Sequence, residues 1–243
     1  MATLRVNNNI VVPVIRVPVG IPMDADSNGV YGLPTYPFVF KFPDNATTIE
    51  NIILKGMFSG VTSLVGVDFN NITIINIANA LSGTFRSTGI TGDLDLSSIT
   101  TVNYGSAMSY AFFDLPGLTS IDLSSLQTID GSGALAYCFA LQNATGNLIQ
   151  SVSFPALTYL GGTAPLRNMF NNRNGIVSIS FPALTSNSFG TTQTVFDNMI
   201  FGVSNCTVHF PSNLQSVIGS WSSIQSGMGG SNTTVLFDLP ATE

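Results

Sequence analysis

A short triplet of the form apolar–x–apolar recurs about every 27 residues from residue 40 to the end of the chain. In five of these repeats a phenylalanine follows eighteen residues after the start of the triplet. Two landmarks that stay in phase over five repeats predict a solenoid, in which each repeat forms one coil. The triplets lie at 40–42, 67–69, 94–96, 121–123, 152–154, 179–181, 208–210 and 235–237, and the phenylalanines are Phe58, Phe85, Phe112, Phe139 and Phe170.

The stretch 115–129 shows the spacing of apolar residues inside one repeat. Its apolar side chains follow one another at steps of three, three, two, three and three. Steps of three fit neither a helix face nor an extended strand, whereas the single step of two marks one short strand. The pattern is typical of a chain that turns corners around a narrow core. The apolar residues are Leu115, Leu118, Ile121, Leu123, Leu126 and Ile129.

Two kinds of solenoid fit this period. A right-handed parallel β-helix needs three alternating strands per coil, but each repeat contains only one alternating triplet. The second halves, such as 133–143 and 165–175, look like short helical or 3-10 turns. We therefore predict an α/β solenoid of the leucine-rich-repeat type over 39–243, with about eight coils. Parallel strands would form its concave face and helical turns its convex face, and 220–243 would be a divergent terminal coil or cap.

Four segments carry a resemblance to a known family. LTSIDLSSLQTIDGSGALAYCF (118–139), FPALTYL (154–160), SISFPALTS (178–186) and HFPSNLQSV (209–217) resemble the BspA-like leucine-rich repeats over roughly 40–220. The cysteine that the family usually places after the phenylalanine is missing here. The family consists mostly of cell-surface binding and adhesion proteins of gut bacteria and some protists, and related repeats occur in viral proteins. The resemblance implies a binding surface and no particular chemistry.

The composition limits the classes of partner. Charged residues make up 8% of the chain and the net charge is −6, which argues against binding to nucleic acid or anionic membranes. No apolar run approaches the 18 residues of a membrane span, and no signal peptide is evident, so we expect no membrane insertion. The stretch 132–195 contains no acidic residue. A surface with so few charges predicts that part of it is covered by partner proteins. We expect a homo-oligomer, for which a trimer is one option.

Residues 1–38 differ from the repeats. They contain strand-forming residues interrupted by Pro13, Pro18 and Pro22, so we expect an extended arm rather than a central strand. Such an arm could lie along an edge, dock onto other structural proteins, or simply cap the first coil.

Within the arm, Asp24, Asp26 and Asn28 match the first half of a calcium loop, but the twelfth position is Thr35 instead of a glutamate. Asn28 followed by glycine is also a strong turn signal, and we favour the turn over calcium. No cofactor is expected.

The middle residue of each triplet should point outward from the strands. In-register coils would place neighbours in this row roughly 4.8 Å apart, so Asp95 and Asp122 would be about as close as the carboxylates of a retaining glycosidase. A solvated polar row is nevertheless the favoured interpretation, ahead of ligand or cation binding and of catalysis. The row reads Lys41, Asp68, Asp95, Asp122, Ser153, Ser180, His209 and Leu236, and its candidate binding residues are Asp68, Asp95, Asp122, Ser153, Ser180 and His209.

The remaining chemistry is sparse. His209 is the only histidine, which excludes zinc sites that need two, and Cys138 and Cys206 lie two coils apart, which predicts free, buried thiols. We therefore expect a non-enzymatic structural or adhesive protein, on a virion surface or in a phage fibre. The alternative is a secreted bacterial adhesin at the cell surface that binds host glycoprotein or matrix. A polysaccharide-active enzyme is the third hypothesis.

Overall fold

The computed structural model describes residues 3–6, 10–16, 35–51, 53–143, 148–190 and 193–242. It is a parallel β-solenoid of about seven coils, and the eighth strand of its longest wall closes the seventh coil. The strands are β1 (Thr3–Val6), β2 (Ile10–Arg16), β3 (Phe38–Lys41), β4 (Thr48–Ile49), β5 (Leu64–Asp68), β6 (Ile74–Ile75), β7 (Gly92–Asp95), β8 (Thr101–Asn103), β9 (Leu118–Asp122), β10 (Thr128–Asp130), β11 (Ser151–Ser153), β12 (Tyr159–Gly161), β13 (Ser178–Ser180), β14 (Thr207–Pro211) and β15 (Thr234–Leu239).

The first five coils each run through three walls. The first wall contains β3, β5, β7, β9, β11, β13, β14 and β15, which hold the triplets of the repeat. The second wall contains β4, β6, β8, β10 and β12, paired in parallel as one five-stranded sheet. The turn wall consists of the turn segments 55–60, 78–87, 105–114, 132–139, 165–172 and 195–202.

The turn wall joins its coils through a regular hydrogen-bond pattern. Successive N–H groups point alternately to the next coil and to a carbonyl three residues back. Phe139 N–H donates to Met169 O of the next coil at 3.0 Å, whereas Cys138 N–H donates to Leu135 O at 3.1 Å. Half of the donors are thus used between coils, which an α-helix could not allow because it uses its N–H groups internally.

A left-handed residue recurs at every fourth position of this wall. In the third coil the residues are Ser106, Tyr110 and Asp114, with φ of 56°, 56° and 60°. These residues interrupt any helix, so the predicted convex helices are replaced by turns. Among the described residues helix occurs only near the C-terminus, as α1 (Gln215–Ile218), α2 (Ser222–Gln225) and two 3-10 turns (Ser212–Leu214, Gly227–Gly229). The solenoid prediction is confirmed, but the α/β detail is not seen.

Columns of phenylalanine fill the core. The predicted anchors are at most 2% exposed, and their rings stack from coil to coil at centroid distances of 5.2–5.9 Å. Phe154, Phe181 and Phe210 form a second column under the first wall, with spacings of 4.8 and 5.3 Å. Burying one such ring contributes roughly 1.5–3 kcal/mol, so these columns are a main source of stability.

Uncharged side chains also form ladders between coils. Thr73 donates both its N–H and its Oγ1–H to Thr47 O, at 2.8 and 3.2 Å, and Thr100 repeats this arrangement onto Thr73 O. Asn103 Nδ2 donates to Asn76 Oδ1 at 3.2 Å. Since stacked coils place like residues side by side, hydroxyls and amides can pair where like charges would repel. This explains the low charge content.

The two ends are closed differently. At the N-terminus β1 and β2 form an antiparallel hairpin, and β2 pairs in parallel with β3. Strand β2 therefore lies between two other strands, although no central strand was expected in this segment. Its pairing with β3 begins at Val14, after Pro13. At the other end the helical residues bury Ile218, Trp221 and Met228 against the core.

Both cysteines are free and buried, as predicted. Burial raises the pKa of the Cys206 thiol to about 11. Burial also raises the pKa of Cys138, by a larger amount. Neither thiol is therefore ionised at neutral pH, and neither has the thiolate character that a nucleophile needs.

Candidate functional site on the first wall

The outward row of the first wall is divided into three sections. Backbone pairing joins β3 to β5, β7 to β9, and β11 to β13, β14 and β15, but not β5 to β7 or β9 to β11. Asp95 and Asp122 are in register, whereas Asp68 is separated from Asp95 by the first break and Ser153 from Asp122 by the second. The predicted single row is thus three short rows.

The first break opens a cleft between β5 and β7. The coils are in close contact before the break, where an added Cβ on Gly89 would clash with Thr62 O. They rejoin on the second wall, where β6 and β8 pair. Between these points the strands separate around a volume of about 400 Å³. Its lining includes Val39, Gly66, Asp68, Asp93, Asp95 and Ser97.

The backbone hydrogen bonds mark the same break. Phe42 N–H donates to Asp68 O at 3.0 Å, and Leu96 N–H donates to Asp122 O at 3.1 Å. Among the described residues Phe69 N–H, at the equivalent position, has no such bond to Asp95 O. The cleft is therefore bordered by strand edges whose backbone groups are free to pair.

The aspartates of the row have a local structural role. The carboxylate of Asp68 accepts from Asn70 N–H at 2.7 Å, that of Asp95 from Ser97 N–H at 2.9 Å, and that of Asp122 from Ser124 N–H at 2.9 Å. Each is an Asx turn that closes the corner after its strand. The recurrence of aspartate in the row thus follows from corner geometry.

Asp93 lies on the far lip of the cleft and is held from the next coil. Its Oδ1 accepts hydrogen bonds from Ser120 Oγ at 2.6 Å and Thr119 Oγ1 at 2.8 Å. These bonds, that from Ser120 above all, lower the pKa of the carboxyl below its ordinary value. The cleft therefore carries a fixed negative charge on a lip formed by two coils.

Other members of the row pair along the axis. Lys41 Nζ lies 3.4 Å from Asp68 Oδ2, so one acidic group of the cleft is partly neutralised. Ser180 Oγ donates to Ser153 Oγ at 2.9 Å. His209 Nδ1 lies 3.0 Å from both oxygens of Asp238, so the histidine pairs with an acid on the last strand.

The geometry limits the chemistry of the wall. Asp95 and Asp122 lie beside each other on one face, instead of on opposite sides of a substrate as in a glycosidase. Within the described parts of the chain no three His, Cys, Asp or Glu side chains gather to hold a metal. The calcium-loop residues Asp24, Asp26 and Asn28 lie outside the described residues.

Sequence reasoning missed Asp93, the cleft and the Asx turns. The turns had a visible signal, since Asp-x-Asn or Asp-x-Ser occurs at 68–70, 95–97 and 122–124. The cleft had no such signal, because the period of 27 continues unchanged across it.

Arg173 was also missed as a structural residue. Its side chain is fully buried, with Nε donating to Phe139 O at 2.6 Å and Nη2 to Leu115 O at 3.0 Å. Burial lowers the pKa of Arg173 to about 10, so the guanidinium stays charged at neutral pH. It links carbonyls of the preceding coils near the second break.

Among the described residues no helix has the length and apolar character needed to cross a membrane. Comparison with protein-family models, with curated proteins and with solved structures found no match to this chain.

Proposed function

We propose that this chain is a non-enzymatic structural or adhesive surface protein, displayed on a virion surface or as a fibre subunit. In this proposal residues 1–38 anchor it to other structural proteins, and the solenoid forms a homo-oligomer, for which a trimer is one option. The repeat motifs support assigning the solenoid to the BspA-like leucine-rich-repeat type. That assignment depends on the motifs, since the wall opposite the strands is built of turns.

One observation carries the non-enzymatic proposal. The three aspartates of the first-wall row each close the corner after their own strand, through Asx turns. Their spacing and recurrence therefore have a structural cause that requires no substrate. Catalytic carboxylates also need environments that separate their pKa values, whereas Asp95 and Asp122 occupy equivalent positions of adjacent coils.

The cleft favours one alternative, a secreted bacterial adhesin that binds host glycoprotein or matrix. It combines free backbone groups with Asp93 and Asp95, which can accept hydrogen bonds from hydroxyl or amide groups. A polysaccharide-active enzyme remains the third candidate, and it would depend on Asp95 and Asp122.

Size-exclusion chromatography with light scattering of the full chain tests the assembly proposal. We expect a discrete oligomer at micromolar concentration, and a clean monomer would contradict it. A glycan and matrix-protein binding panel then tests the adhesin, with the double variant Asp95→Asn/Asp122→Asn beside the control Asp130→Asn on the second wall. Binding that only the double variant loses would favour the adhesin, and turnover of any glycan would favour the enzyme.

The location of the native protein separates the first two candidates directly. Mass spectrometry of purified virions should detect the chain at a fixed ratio to the other shell proteins. Detection only in the bacterial envelope would instead favour the adhesin.

A further inference from the structure

The turn wall carries an aromatic surface that its architecture does not require. Tyr110 and Tyr137, in adjacent coils, stack at a centroid distance of 4.6 Å with 6° between their planes. The Phe113 ring lies 5.3 Å from that of Tyr110, and the Arg86 guanidinium lies 4.8 Å from the centre of the Phe113 ring. With Arg167, these five residues form the tyrosine patch.

The backbone at the two tyrosines is unfavourable for that residue type. Tyr110 and Tyr137 occupy equivalent left-handed positions of their turns, with φ of 56° and 55°. A side chain with a Cβ costs about 1–2 kcal/mol in this conformation, whereas glycine adopts it freely and asparagine tolerates it. The equivalent residues of the other coils are Gly56, Gly83, Asn168 and Asn198.

Stability does not explain why tyrosine occupies these two positions. Stacking of one aromatic pair contributes about 0.5–1.5 kcal/mol, which is no more than the backbone cost of two left-handed tyrosines. Both rings are also only half-buried. A residue that costs stability and remains accessible is typical of a functional position.

The charges around the rings indicate the partner. Arg86 and Arg167 are exposed, and within the described part of the chain neither forms an ion pair. Both act on the Tyr110 phenol, where they oppose the rise in its pKa that burial causes. Arg167 also acts on the Asp197 carboxyl, so that acid borders the patch. Two of the seven basic residues of a chain with net charge −6 thus lie at this patch.

The stacking of the rings favours a peptide over a sugar as the bound partner. Because the tyrosines stack from coil to coil, the ring faces that they share are covered. A sugar ring packs on an open aromatic face, whereas tyrosine and arginine are among the residue types enriched at protein interfaces. We propose that the tyrosine patch is a recognition surface for an acidic segment of a partner protein. This proposal is independent of the first-wall cleft, and either can fail alone.

Fluorine NMR of the full chain labelled with 3-fluorotyrosine tests the proposal. The chain has six tyrosines, and Tyr110→Phe and Tyr137→Phe variants assign the two signals of the patch. At low ionic strength a hexaglutamate peptide should shift both signals and leave that of Tyr159, on the second wall, unchanged. A Gly-Ser peptide of equal length should shift none.

Two sets of variants complete the test. Arg86→Gln/Arg167→Gln should weaken hexaglutamate binding about tenfold or more, and each single variant should weaken it, while Lys55→Gln, which removes one positive charge elsewhere on this wall, should not. Tyr110→Asn and Tyr137→Asn should abolish binding and leave Tm unchanged or higher.

Several outcomes would overturn the proposal. These are a hexaglutamate titration without shifts, shifts that persist in the arginine variants, and unchanged binding by the asparagine variants with a lower Tm. Shifts with oligogalacturonate but not hexaglutamate would assign the surface to acidic glycans instead. Shifts caused by raising the protein concentration alone would assign it to a second copy of the chain.

Discussion

The turn wall and the first wall join the same coils in different ways. The turn wall passes hydrogen bonds between the same two coils that the first break separates on the first wall, as in Leu81 N–H to Ala107 O at 2.8 Å. The first wall has a conventional parallel sheet, yet its pairing stops between β5 and β7 and again between β9 and β11. The regular strands of the first wall are therefore not what makes this solenoid continuous, since the second wall pairs across both breaks.

The difference shows that the core, the turn wall and the second wall hold the coils together where the first wall is open. The phenylalanine column runs under both breaks, with Phe85 stacked on Phe112 at 5.2 Å below the first and Phe139 on Phe170 at 5.9 Å below the second. The first wall can therefore open and carry charge without dividing the molecule. A binding surface placed there costs the scaffold little.

The largest effect should come from the column. Phe112→Ala should lower the free energy of unfolding by about 3–5 kcal/mol, because the fully buried ring leaves a cavity between two neighbours. Phe113→Ala, beside it but half-buried, should cost about 1 kcal/mol. Urea unfolding measures both, and equal losses would show that the column does not hold the coils together.

The buried cation near the second break should come next. Arg173→Met should cost about 2 kcal/mol, because Phe139 O is left buried without its donor. Arg167→Met, at an exposed arginine of the turn wall, should change stability by less than about 0.5 kcal/mol. If the Arg173→Met variant is as stable as the parent, the guanidinium does not stabilise the contact between coils.

The corner role of the row predicts a smaller effect. Asp122→Ala should cost about 1 kcal/mol through loss of its hydrogen bond from Ser124 N–H, whereas Asp122→Asn keeps an acceptor and should cost less than about 0.5 kcal/mol. Thermal unfolding of the two variants provides the comparison. Equal destabilisation by both would mean that the negative charge, rather than the turn, is what the fold requires.

The smallest effect concerns pH. The folded-state pKa of Asp93 is lowered, so its contribution to stability is present above the unfolded pKa and is lost as the pH falls through the folded pKa. NMR titration should find the pKa of Asp93 below that of an ordinary aspartate. Thr119→Val/Ser120→Ala should raise it towards that ordinary value. An unchanged pKa in the double variant would exclude the two hydroxyls as its cause.

Much of the fold could be predicted from the sequence. The period of 27, the triplets and Phe58 to Phe170 locate the first wall and the core, because buried positions must repeat at every coil. The turn wall could not be predicted, because its chain alternates bonds within and between coils and its left-handed positions hold serine, tyrosine and aspartate as well as glycine. These residue types do not reveal a positive φ.

Less of the candidate site could be predicted. The outward row follows from strand alternation, but its division depends on whether neighbouring strands approach closely enough to pair. Whether the strands approach each other depends on local residues: Gly89 allows close contact before the break, and Gly66 lies in the lining of the cleft. The period of 27 residues is the same on both sides of the cleft, so it does not reveal where the strands separate.

Amide hydrogen exchange at three equivalent residues tests the central claim, that the first wall is open between β5 and β7 while the core continues beneath it. Phe42 and Leu96 donate to the next coil, whereas Phe69 does not. We predict that the amide of Phe69 exchanges about a hundredfold faster than those of Phe42 and Leu96, while Phe85 and Phe112 in the turn wall stay protected. Equal protection of Phe42, Phe69 and Leu96 would mean that the sheet is closed, and it would contradict the account.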